Sequence, residues 1–129
     1  MSDSQNNLTI VLNQQDEDGT NILNRTLGAF TYAGDVGTFF RGTLVGTGAV
    51  SFTLPATNAL QAMVINRHAT ALITIVGTVQ GGASQTITRL SPGGMWANWM
   101  TASGATVGYT ALSLQSDTTG ADYEAYLGG

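Results

Sequence analysis

Short runs of β-branched and aromatic residues follow one another along this chain, each broken by glycine, proline or asparagine after about 8–12 residues. Val50, Phe52 and Leu54 alternate with Ser51 and Thr53, the period of a strand that buries one face only. No stretch sustains the apolar stripe of an amphipathic helix. The 129 residues suit one domain. The expected fold is all-β, a single jelly-roll-like β-sandwich of about eight or nine short strands with an extended N-terminal segment.

Leu8 to Leu12 reads as a first strand, and Asn13 to Asn21 as a polar loop holding the densest run of acids, Asp16, Glu17 and Asp18. Residues 1–21 are thus set apart as a polar tail with the first strand and acidic loop, and 22–129 as the sandwich. Ile22 to Tyr32 reads either as short strands or as an extended arm. Thr38 to Val45 and Val50 to Leu54 flank Gly46-Thr47-Gly48, a tight-hairpin signal, and Pro55 ends the second strand. Ala62 to Asn66 and Ala71 to Val76 are expected to pair through Arg67-His68-Ala69-Thr70. Leu72 to Val76 is apolar on both faces, as a covered central strand would be. Gln80 to Ser84 reads as a turn. Gln85 to Leu90 and Met95 to Met100 are strands on either side of Pro92-Gly93-Gly94. Ala102 to Thr106 is a loop, and Val107 to Gln115 and Tyr123 to Leu127 are the last strands.

Both tryptophans, Trp96 and Trp99, stand in the strand after that Pro-Gly-Gly turn. Residues three apart in a strand point to opposite faces, so the two indoles cannot share one core. Trp96, Asn98 and Met100 fall on one face, and Met95, Ala97 and Trp99 on the other. Both faces are apolar. Fully burying a large aromatic side chain is worth up to ~3 kcal/mol, so one face is expected to enter the core and the other a second interface. Phe39 and Phe40, adjacent on another strand, make the same demand. The candidate interface residues are therefore Phe39, Met95, Trp96, Trp99 and Met100. A neighbouring subunit is the first candidate to cover them, ahead of a sugar stacked on an indole or a segment of the chain itself.

Charge narrows the partners. Charged residues make up 9% of the chain, against roughly 25% in ordinary soluble proteins. There is no lysine, and the bases are Arg25, Arg41, Arg67 and Arg89 against eight acids. Four scattered arginines in an acidic chain form no stripe for a phosphate backbone, and no basic amphipathic helix suits a membrane surface, so neither nucleic acid nor membrane is expected as a partner. Met1 to Asn7 lacks the pattern of a secretory signal, and no apolar run approaches the ~18–20 residues of a membrane span. Synthesis in the cytoplasm is expected. Without cysteine, neither a disulfide framework nor a thiolate metal site is available.

Catalytic and metal motifs are thin. His68 is the only histidine, in an expected turn beside Arg67, with no local nucleophile and acid to make a triad. Asp16-Glu17-Asp18-Gly19 is a fragment of a calcium loop, but the further ligands such a loop needs do not follow in Thr20 to Ala29. Asp122 and Glu124, two apart, are expected as solvated edge charges rather than a hydrolytic pair. No enzyme, cofactor or metal is expected.

The order of segments carries a family resemblance. Ala62-Met63-Val64-Ile65-Asn66 precedes the apolar Leu72 to Val76. Ile87-Thr88-Arg89-Leu90-Ser91-Pro92-Gly93-Gly94 then leads to the aromatic strand, and Ala111-Leu112-Ser113-Leu114 and Tyr123 to Gly129 close the chain. From Gly37 to Gly129 this pattern resembles small all-β virion proteins of tailed bacteriophages, such as capsid decoration (cement) proteins and the small domains of head or tail fibres. The resemblance implies a non-enzymatic structural protein of the virion, made in the host cytoplasm. Such a protein forms homo-oligomers, a trimer first among them, and stabilises the head through contacts with the major capsid or another virion protein. The alternative it implies is a fibre module that binds host surface glycan through an exposed tryptophan.

Overall fold

A computed structural model describes residues 4–34, 37–54, 58–99 and 108–128, and ten strands run through them. β1 (Ser4–Gln15) and β2 (Asn21–Gly34) pair with each other as a long antiparallel ribbon. The remaining strands are β3 (Gly37–Leu44), β4 (Val50–Ser51), β5 (Gln61–Asn66), β6 (Ile73–Val79), β7 (Ser84–Leu90), β8 (Met95–Trp99), β9 (Tyr109–Ser116) and β10 (Ala121–Gly128). They form two antiparallel sheets, ordered β3-β10-β5-β8 and β4-β9-β6-β7. The chain is therefore all-β, as its periodicity demands. The expected loop over 102–106 and the stop at Pro55 lie outside the described residues.

The two four-stranded sheets share one core. Leu44, Ala62, Val64, Ala125 and Leu127 come from the first sheet, and Ile73, Ile75, Leu90, Leu112 and Leu114 from the second. Each large aliphatic side chain fully buried there stabilises the fold by about 1.5–3 kcal/mol. Phe40, Phe52 and Tyr123 extend this core as an aromatic cluster. Phe40 stacks on Phe52 at 5.7 Å between centroids, and Tyr123 meets Phe52 edge-on at 5.9 Å.

Two expected hairpins are instead crossovers between sheets. Gly46-Thr47-Gly48 joins β3 in one sheet to β4 in the other, and Arg67 to Thr70 leads from β5 to β6 in the same manner. Short turns permit either path, and burial of one face along β5 and β6 favours the one that wraps the core. Asn66 fixes the second corner. Fully buried, it donates from Nδ2 to the carbonyls of Ala71 (2.8 Å) and Leu90 (3.0 Å) and accepts from the amide of His68 at 3.0 Å. The turn at Gln80–Ala83 does make a hairpin, β6 with β7. Gly108, at φ 96°, opens β9, and a β-carbon there would lie 2.7 Å from the Ala59 carbonyl oxygen, so glycine is required twice over.

β2 belongs with the ribbon. The expected division between residues 21 and 22 falls at the ribbon's tip, because β2 pairs with β1 and with no other strand among the described residues. The chain exposes 7511 Å², against about 6,500 Å² for a compact protein of this mass.

Candidate functional site

Alternation decides which residues of the sheet β3-β10-β5-β8 face away from the core. Phe40, Val64, Ala125 and Trp96 point inward, so their neighbours point outward. Register lines these up across all four strands. Phe39, Tyr126, Met63 and Ala97 form one outer row, and Arg41, Glu124, Ile65 and Met95 the next. The first row is apolar but for the Tyr126 hydroxyl, and burial pushes that phenol above its usual range. At the two edges of the sheet, Phe39 is 55% and Met95 54% exposed. Along the Phe39 row this sheet is apolar on its outer side as well, whereas the next row is polar where Arg41 and Glu124 stand on β3 and β10.

The expected interface residues divide accordingly. Phe39 and Met95 lie on the outer face. Trp96 turns inward, meeting Tyr109 of β9 edge-on at 5.9 Å, while Asn98 donates to the Tyr109 hydroxyl at 3.1 Å. Trp99 takes the register position opposite Gln61. The Trp99 side chain and the whole of Met100 lie outside the described residues.

Beside the apolar row lies a polar cluster. Glu124 is not an edge charge, since β10 runs between β3 and β5. Its side chain is 8% exposed beneath two arginines. Arg41 donates to Oε1 from Nε at 2.7 Å and from Nη2 at 2.6 Å. Arg67 donates to Oε2 from Nε at 3.1 Å and from Nη2 at 2.9 Å. The hydrogen bonds from Arg67, then those from Arg41, hold the Glu124 carboxyl below its usual range despite burial. Thr43 donates to Asp122 at 2.7 Å on the same rim. Together these residues line an open groove of about 620 Å³. Glu124 is 83 residues from Arg41 and 57 from Arg67, so no local spacing could have announced the cluster. The parity of Arg41 with Phe39 was its only sequence signal.

Several of the chain's acids and its histidine have structural duties. His68 accepts the amides of Thr70 (3.2 Å) and Ala71 (2.9 Å) at Nδ1, which holds the turn that follows β5. Asp16 accepts the amides of Asp18 (3.0 Å) and Thr20 (2.9 Å), closing the ribbon's own tip. Asp117 accepts the Leu72 amide at 2.9 Å, and that bond foremost holds its carboxyl below the usual range. Among the described residues no three acids or histidines gather as a metal site. Comparisons of the chain with protein-family models, with curated proteins and with solved structures find no match.

Proposed function

We propose that this chain is a non-enzymatic structural protein of a virion, a capsid decoration protein, that assembles through the outer face of the β3-β10-β5-β8 sheet. The observation that carries the reading is the row Phe39, Tyr126, Met63 and Ala97, apolar across four strands on the side away from the core. Strand order adds support. Consecutive strands change sheets at every step but β6 to β7, giving β3-β10-β5-β8 over β4-β9-β6-β7. We read this order as the double Greek key of a jelly-roll sandwich, an architecture common in viral capsid proteins. The surface, poor in charge and rich in Thr, Ser, Asn and Gly, fits permanent contact with other subunits.

The glycan-binding fibre module draws less support at Trp96, whose indole packs toward the core and meets Tyr109 edge-on. Light scattering after size exclusion tests the reading. Across a hundredfold concentration range the purified chain is expected to hold the mass of a closed oligomer, a trimer first. A monomer throughout would remove the role of the outer face. Electron microscopy of particles carrying the chain is expected to find it at positions repeating with the shell lattice. Density confined to fibre tips would favour the glycan-binding module.

A further inference from the structure

We propose that the β1–β2 ribbon is an exchanged arm, which lies across the outer face of the β3-β10-β5-β8 sheet of a second copy of this chain. The acidic tip of the arm then sits beside that copy's Arg41 and Arg67. The proposal rests on the self-assembly reading above and names what covers the open face.

The ribbon needs a partner. A two-stranded ribbon is marginal in water by itself, and neither β1 nor β2 pairs with a third strand among the described residues. Yet Val11, Leu12 and Ile22 are exposed on it. Register shifts after Ile10 and Gln14 mark bulges, which bend a ribbon and let it follow a curved surface.

Length excludes the chain's own sheet as the receiving surface for the tip. β2 has 14 residues, so the tip lies about 45 Å from the base at Gly34. β3 starts at Gly37, and Arg41 is four residues further on, about 14 Å along the strand. A ribbon laid back over its own sheet would carry its tip about 30 Å past its own arginines. A second copy, with its sheet displaced by that distance, receives the tip at the groove.

Charge sets the register of that contact. The tip holds Asp16, Glu17 and Asp18, three of the chain's eight acids, with no base before Arg25. The groove holds two of the four arginines, Arg41 and Arg67, whose side chains are 77% and 55% exposed. Glu124 and Asp122 balance them in number, but Glu124 is buried beneath. Each guanidinium donates to it from Nε and Nη2 alone and keeps further N–H groups for an incoming carboxylate. The row of Phe39, Tyr126, Met63 and Ala97 beside the groove meets the apolar residues of the arm.

Because the chain has no cysteine, a directed cross-link reads out the contact. A Glu17→Cys chain and a Thr43→Cys chain, both exposed positions, are co-expressed and treated with a mild oxidant. The expected product is a covalent dimer of twice the 13.4 kDa chain mass, in excess over what either variant forms alone. Native mass is measured on the same samples. An oligomer without that cross-link overturns the arm exchange and leaves self-assembly standing, whereas a monomer overturns both. Leu12→Asn, at an exposed position, is expected to weaken association at least tenfold and leave the unfolding temperature of the dilute chain unchanged. Unaltered association would also overturn the proposal.

Discussion

Glu124 holds two arginines that come from different strands and loops, and it does so on the outer side of a central strand. Its carboxyl ordinarily titrates near 4.5, and the two guanidiniums lower that value in the folded chain. A carboxyl with a depressed folded pKa stabilises the fold fully above its unfolded pKa, and the contribution fades as pH falls through the folded value. The relevant window is therefore below about pH 4.5, where Asp117 adds to the same trend. Both arginines are exposed, so water screens the cluster and added salt is expected to shrink its effect. Glu124→Gln should lower the unfolding temperature at neutral pH and flatten its decline between pH 4.5 and 3. Thermal melts of both chains along that series check this, and parallel curves would rule the cluster out as a source of acid sensitivity. From sequence, Glu124 could be read only as an edge charge, because β10 follows a polar loop and nothing in the chain marks it as central. Phe39 and Phe40 were legible by contrast, since strand parity alone sends neighbours to opposite faces.

At the scale of elements, the strands were legible and their partners were not. Apolar and β-branched runs between glycine, proline and polar breaks located most of β3 and β5 to β10, and alternation located the strand that starts at Val50, because burial writes itself into local sequence. Pairing is non-local, and a glycine-rich turn such as Gly46-Thr47-Gly48 serves a hairpin or a corner equally well. The β2 strand was ambiguous because Ile22 to Tyr32 mixes apolar and small residues without a clean alternation. What turns the chain from β5 to β6 is a side chain, Asn66, bonded to Ala71, Leu90 and His68. Asn66→Ala would strand two buried carbonyls and one amide. Each such loss costs about 1–3 kcal/mol, though partial relaxation at the corner offsets some of it. We expect a net destabilisation of about 3 kcal/mol by urea unfolding, with Asn66→Asp recovering little because it removes the donating nitrogen. A loss under about 1 kcal/mol would mean that the corner is held by the strands themselves.

For the whole molecule, the decisive contrast lies between two of its exposed apolar residues, which stand in different settings. Phe39 sits in the outer row of the β3-β10-β5-β8 sheet, whereas Val79 ends β6 in the other sheet. Both are exposed, Phe39 at 55% and Val79 at 42%, so general stickiness would make them equivalent. If the outer row is the assembly surface, only Phe39 loses its remaining contact with water on association. Covering about half of a phenylalanine removes roughly 100 Å² of apolar surface, worth about 2 kcal/mol. Phe39→Asn should therefore raise the dissociation constant about thirtyfold per contact, whereas Val79→Asn leaves it unchanged. Because both side chains already face solvent in the single chain, neither variant is expected to move the unfolding temperature of the dilute protein by more than a few degrees. Sedimentation at graded concentrations separates the cases, and salt separates them further. Apolar burial at Phe39 persists as ionic strength rises, while a contact between acidic tip and arginine groove weakens. Equal effects of the two variants would move assembly off the outer face.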